Sequence, residues 1–329
     1  MSDTTKKQNF LHGTMLLALA TAIVKVIGAL YKIPLNAIIG KEGFGYYSTA
    51  YEIYTVLLMI STAGLPVAMS RMISQASSLG NYRQVRKIYT VSRTIFLSLG
   101  LIGTLLMTVF CKQLATFQEQ PDAWAAIGAL GPCCFLICLM STYRGFFQGQ
   151  SNMLPTSVSQ VLEAVCKLIV GIAAALLIKF YWDSIPLAAG GAIFGVTMSC
   201  LISSFYLNRC FRKATKNMPL ADGEADSGKS IAKGLLAIAI PITIGSAGLQ
   251  ILTVLETKIY MGQLLTFLDQ KPQTVTRVFT IWCRPFSICP AHLSPPSPSA
   301  LSLPPPRRSP PVMQRLLGKR KNPLSALPA

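Results

Sequence analysis

Seven ionisable side chains, Lys25, Lys32, Glu52, Glu163, Lys167, Glu256 and Lys258, stand inside or at the ends of long apolar stretches. An ionised group in such a place costs roughly 2.5–3.5 kcal/mol on insertion scales, so it faces a partner or a water-filled cavity. Lys25 and Lys32 are seven residues apart, near two helical turns, which puts them on one helix face about 10 Å apart. Gly28 lies between them and leaves room for a ligand or another helix. Two cations on one face suit an anionic headgroup such as a pyrophosphate. Glu52 interrupts a second apolar stretch. Glu163 and Lys167 are spaced i, i+4 in the orientation that favours a pair on one helix. Arg71 and Arg144 close their stretches, which suits ordinary topology determinants. Substrate-binding roles therefore fall to Lys25, Lys32 and Glu52, with the remaining charges as cavity or structural groups. A plainer alternative has Lys32 reaching to an interface and Glu163–Lys167 as a structural pair.

These charges must be carried by helices that cross a bilayer. Apolar segments run over about residues 13–38, 45–70, 89–115, 124–146, 156–182, 185–207 and 231–255. Each is long enough to cross a hydrocarbon core of about 30 Å, which takes roughly 20 residues. Soluble helices would show a polar face, and these segments largely lack one. Only 13% of residues are charged. The expected fold is all-α and integral to a membrane. Residues 1–208 make a six-helix N-terminal lobe, 209–230 a mobile cytoplasmic linker, and 231–265 a seventh helix that starts a second lobe. The first segment exceeds a signal peptide's apolar run and lacks a small-residue cleavage site, so it reads as a retained helix. Basic residues gather in alternate loops: Lys6 and Lys7, then Arg83, Arg86 and Lys87, then Arg209, Arg212, Lys213 and Lys216. The positive-inside rule puts those loops and the N-terminus in the cytoplasm, in a multi-pass protein of the cell membrane.

The net charge of +18 invites a nucleic-acid reading, but the bases lie in short loops and a tail, so no nucleic-acid partner is expected. Of nine cysteines, Cys133, Cys134, Cys138, Cys166 and Cys200 fall inside apolar segments, where a thiol serves as a small hydrophobe. No CxxC occurs and there are two histidines, so no metal site and no cofactor are expected. A membrane-embedded transferase would want an acidic metal pair or a histidine with an acid partner. His12 has none nearby, and no catalytic residue is assigned.

The residues also carry a family likeness. Gly13-Thr14, Lys25-Val26-Ile27-Gly28, Tyr31-Lys32-Ile33-Pro34-Leu35 and Gly40-Lys41-Glu42-Gly43-Phe44-Gly45 resemble the start of the MurJ-like and stage V sporulation protein B-like flippases. Ala50-Tyr51-Glu52-Ile53-Tyr54, Gly64-Leu65-Pro66-Val67-Ala68 and Tyr143-Arg144-Gly145-Phe146-Phe147-Gln148-Gly149 continue it, with Glu163 and Lys167 beyond. The resemblance implies a member of the multidrug/oligosaccharidyl-lipid/polysaccharide flippase superfamily, with two helical lobes around a central cavity. It implies movement of an undecaprenyl-pyrophosphate-linked saccharide, such as lipid II or a polysaccharide repeat unit, between leaflets by alternating access. Lys25 and Lys32 then match basic positions that line the cavity. Partners on this reading are the lipid-linked saccharide, membrane lipids and a coupling ion. A cation-coupled multidrug exporter of the same superfamily is the alternative, and an inactive membrane fragment is another.

Residues 266–329 read as a disordered tail. Residues 278–329 hold 12 of the chain's 21 prolines, seven Lys or Arg, and no Asp or Glu, a composition that packs no core. Back-translated and read one nucleotide earlier, residues 278–293 can encode an apolar segment like the next helix of the family. The reading is therefore a frameshift near residue 277 that truncates a longer flippase and impairs it. Sequencing the gene is expected to find the shifted frame open beyond that point; an early stop codon there would end the idea.

Overall fold

A computed structural model describes residues 2–216, 218 and 224–268. Of the expected tail, 266–329, residues 266–268 continue a helix, and the rest, with its proposed frame change, lies outside the described residues. The described elements are α1 (Ser2–Thr62), α2 (Leu65–Ser78), α3 (Tyr82–Val109), α4 (Cys111–Phe117), a 3-10 turn (Pro121–Ala123), α5 (Trp124–Gly149), α6 (Leu154–Trp182), α7 (Ile185–Lys216) and α8 (Gly228–Leu268). Six helices are long and apolar enough to cross a membrane. The fold is all-α and multi-pass, as the sequence reads.

The first of the six, Met15–Met59, is 45 residues long, about twice what one crossing needs. Gly40 breaks it with φ 68° and ψ −178°, a left-handed conformation that glycine alone adopts without strain. Contacts on either side show that the chain turns back there. Gly13 lies against Met153 and Gly43 against Ile185. Tyr54 then reaches Cys133, and Gly149 closes on Ile73. Residues 13 and 73 thus share one end of the bundle, and residue 43 sits at the other. The Lys179 ammonium donates to the Ile38 carbonyl beside the break, satisfying a group that the interrupted helix leaves free. Counting α1 as two crossings gives seven, ending with α8.

Several boundaries differ from the sequence reading. The second crossing does not run unbroken to residue 70. It stops at Thr62, and α2 restarts at Leu65 with Pro66 in its first turn. Gly64 at this break lies so close to the Ala239 carbonyl of α8 that a Cβ has no room. The third crossing ends at Val109, before α4. The linker is shorter than residues 209–230, because Phe211 extends α7 by stacking on Tyr89 at 4.3 Å and packing against Phe146 at 4.9 Å. Nor does its described part hang free. Asn81 Nδ2 donates to the Glu224 carbonyl (2.7 Å), while Gln84 and Asp226 exchange two hydrogen bonds of 2.7 and 2.9 Å. α8 begins at Gly228, continues past Glu256 and Lys258 to Leu268, and packs on α1, α2 and α3.

Within lipid there is no hydrophobic drive between helices, so small residues that let backbones approach do much of the packing. α6 and α7 meet through Gly171, Ala175, Ala188, Gly191, Ala192 and Gly195, and a Cβ on Gly195 would collide with the Gly171 backbone. α5 is the central helix, buried along its length from Ala126 to Phe147. It contains Pro132, which cannot donate to the turn before it. Thr197 donates to the Ala129 carbonyl and Thr104 to the Gly131 carbonyl, each at 2.9 Å, so side chains of α7 and α3 supply donors around the proline. Replacing Gly195 with leucine is expected to force α6 and α7 apart and cost about 1–3 kcal/mol. A drop in the melting temperature of detergent-purified protein would register it, with Gly245→Leu in open space changing little.

Candidate functional site

Two helices of the bundle bring charges together, and a third adds a phenol. Arg144 sits near the end of α5, Glu163 and Lys167 are one turn apart on α6, and Tyr51 lies in the second half of α1. Arg144 Nη2 pairs with Glu163 Oε2 at 2.9 Å, with the side chains 18% and 26% exposed. Arg144 Nε also donates to Ser159 Oγ at 3.1 Å, and that hydroxyl donates to the Thr156 carbonyl at 2.7 Å. The guanidinium is thus held by two groups on α6, which fixes its plane. This ion pair takes the place of the Glu163–Lys167 pair that the spacing suggests. Arg144 is correspondingly a tie between α5 and α6, beyond a topology determinant. The physical reason is reach: the facing helix offers Glu163 a planar fork, while Lys167 points towards aromatic rings on α1.

Lys167 Nζ donates to Tyr51 Oη at 3.0 Å. It lies 4.6 Å from the centre of the Tyr51 ring and 5.4 Å from that of Tyr31. Tyr47 stacks on Tyr51 at 5.5 Å, and Tyr54 meets Tyr51 edge-on at 5.5 Å. An ammonium among ring faces gains cation–π attraction where water is scarce. Tyr31 Oη donates to the Ala192 carbonyl at 3.3 Å, tying α1 to α7. Sulfur adjoins the network: Cys133 and Cys200 are 3.4 Å apart, Tyr54 Oη is 3.6 Å from Cys133, and Cys200 Sγ is 3.9 Å from Glu163 Oε1. The sequence reading names Tyr31, Tyr51 and Tyr54 only within motifs and gives the tyrosines no role. Their spacing at 47, 51 and 54, i, i+4, i+7, was the available signal.

The other predicted residues lie elsewhere. Glu52 is buried, at 8% exposure. Lys25 is exposed and Lys32 half-buried on the first half of α1. The exposed apolar stripe of that half comprises Met15, Leu19, Ile23, Val26, Leu30 and Ile33. At 100° per residue, Lys25 and Lys32 fall about 20° from each other and about 110–130° from the midline of that stripe. Nothing lies within 4 Å of where a Gly28 side chain would start. Arg71 is exposed on α2 and Glu256 on α8. Lys258 Nζ sits 3.6 Å from the centre of the Phe117 ring, so α8 docks on the end of α4. Among the described residues, no group of three His, Cys, Asp or Glu is placed to hold a metal ion.

A multi-pass helical bundle with a tyrosine-lined cation and an interhelical Arg–Glu pair is a membrane-protein architecture. Its backbone resembles that of multidrug transporters. The crystal structure of MATE in the straight conformation aligns with a TM-score of 0.64 at 14% identity, covering 84% of this chain and 59% of that one. An inward-facing MATE family transporter of the MOP superfamily aligns with a TM-score of 0.61 at 15% identity, over 80% of this chain and 60% of that one. The chain belongs to the polysaccharide biosynthesis protein family, whose profile matches residues 10–265. Stage V sporulation protein B of Bacillus subtilis (strain 168) is 31% identical over 241 residues, 72% of this chain and 46% of that protein. Lipid II flippase MurJ of the same organism is 30% identical over 205 residues, 59% of this chain and 37% of that protein. The chain thus spans less than half the length of these two relatives.

Breaking the ion pair from one side leaves a charge with no counterpart in a low-dielectric interior. Arg144→Met or Glu163→Met alone is expected to cost about 3 kcal/mol, and the double replacement distinctly less than the sum. Melting curves of the three variants, combined as a double-mutant cycle, would reveal coupling; additive losses would contradict the tie.

Proposed function

We propose that residues 1–208 act as the N-terminal lobe, and residues 231–265 as the first helix of a second lobe, of a carrier for lipid-linked saccharides. The cargo on this reading is an undecaprenyl-pyrophosphate-linked saccharide, a lipid II-like precursor or a polysaccharide repeat unit. It is moved across the cell membrane by alternating access, with the N-terminus in the cytoplasm. The saccharide and its headgroup cross through a polar path while the lipid tail stays among acyl chains. The observation that carries the reading is the face of α1 that holds Lys25, Gly28 and Lys32. It is turned away from the apolar stripe of the same helix and has open space at its centre, in a chain whose relatives include a lipid II flippase.

On that face two ammonium groups offer charge to a pyrophosphate without covalent chemistry. Glu52, buried in the second half of α1, supplies a carboxylate in the same lobe, suited to a coupling cation. The Arg144–Glu163 tie and the caged Lys167 hold α1, α5 and α6 in fixed relation. Alternating access asks for such rigidity, because one lobe has to rock as a body against another. The site residues on this proposal are Lys25 and Lys32 for the anion, and Glu52 for a coupling cation; Arg144, Glu163 and Lys167 position the helices.

The test is complementation of a flippase-depleted strain, with this chain and with a version carried on in the shifted reading frame beyond residue 277. Rescue by the latter, lowered about tenfold by Lys25→Ala as expected for one lost charge-assisted contact, supports the reading. Rescue by neither counts against lipid II as cargo, and unchanged transport by Lys25→Ala removes that residue from the site.

A further inference from the structure

The first turns of α3 build a cationic groove that the cargo reading does not use. Arg83, Arg86, Lys87, Thr90 and Val91 face Glu224 and Ala225 across a space of about 730 Å3. Positions 83, 86, 87 and 90 follow i, i+3, i+4, i+7, so one face of α3 gathers the three cations. The opposite face carries Val85, Ile88 and Tyr89 and is buried. Asn81 caps the helix by accepting from the Gln84 backbone N–H at 2.9 Å. The second wall is pinned to α3 by Asn81 and Gln84 through Glu224 and Asp226. Gly228, at the start of α8, lies against Val91, and the exposed Lys229 follows it. Glu224 is the acidic side chain in this lining, and Arg83, Arg86 and Lys87 outnumber it three to one.

The same helix face continues beyond the cations. Arg83 and Leu101 are eighteen residues apart, five full turns, and therefore in line. Between them come Thr90 and Thr94, and beyond them Leu101, Ile102 and Leu105 are exposed. Cations, then hydroxyls, then aliphatic side chains follow one another along a helix that crosses the bilayer. That is the order of phosphate, glycerol and acyl chain in a phospholipid standing beside it. Cations near a bilayer surface attract anionic lipid, and a guanidinium pair grips a phosphate with a fork of donors. We propose that this groove, formed by α3, residues 224–225 and the start of α8, is a binding site for the headgroup of an anionic phospholipid, whose acyl chains lie along the Leu101 face. The site lies on α3 rather than on the Lys25 face of α1, so it is independent of the cargo reading.

The experiment uses the full chain in nanodiscs of phosphatidylcholine, with and without phosphatidylglycerol as a minor component, and counts retained lipids by native mass spectrometry. The wild-type chain is expected to retain phosphatidylglycerol over phosphatidylcholine. Each cation contributes on the order of fivefold, so the combined Arg83→Gln, Arg86→Gln and Lys87→Gln variant is expected to lose at least tenfold in retention. Lys112→Gln, at the opposite end of the bundle, is expected to leave retention unchanged. Arg86→Gln alone, at an exposed position where packing is not disturbed, is expected to lose a few-fold if the triple variant does not fold. Equal retention by the wild type and Arg86→Gln overturns the proposal. So does displacement of the lipid by inorganic phosphate or glycerol phosphate, which assigns the groove to a soluble anion.

Discussion

A hydrocarbon interior offers a charge no water, and the arrangement of these helices follows from how the charges of α5 and α6 are answered from within the protein. Arg144 receives a carboxylate and a hydroxyl from α6. Lys167 receives a phenol and two ring faces from α1. The Ile38 carbonyl, freed by the break at Gly40, receives the Lys179 ammonium. Each solution joins two different helices, α5 to α6 or α6 to α1. Satisfying the charges therefore also fixes how α1, α5 and α6 stand relative to one another.

Packing obeys the same solvent. Because lipid tails are as apolar as leucine, α6 and α7 hold together through close backbone approach at Gly171, Gly191 and Gly195. Larger aliphatic side chains such as Ile169, Leu176 and Leu177 face outward. The aromatic residues Tyr89, Tyr143, Phe146 and Phe211 form a separate cluster at one end, joining α3, α5 and α7. The two kinds of packing divide the labour: small residues set spacing along the crossings, and rings lock the ends where the loops begin.

Much of this was legible from composition and spacing. The apolar lengths gave the crossings, including the doubled first helix, since Gly40 to Gly45 separates two stretches that are each long enough. The alternation of basic loops agrees with contacts that put residues 13, 73, 81 and 153 at one end and residues 43, 122 and 185 at the other. Partner choice was not legible. The i, i+4 spacing of Glu163 and Lys167 is a local rule, and it yields when a facing helix offers better geometry. A charge near a segment end reads as a topology signal whether or not a carboxylate waits across the interface.

By itself the sequence determined that this chain crosses a bilayer as helices, roughly where each crossing lies, and the flippase-family likeness carried by its motifs. Hydrophobic length and glycine and proline placement are properties of contiguous residues, and the membrane reads them directly. Tertiary structure alone decided that Arg144 belongs to Glu163, that Lys167 rests among tyrosines, and that Arg83, Arg86 and Lys87 face a pinned linker. Those outcomes depend on which helices become neighbours, and separation along the chain carries no record of that.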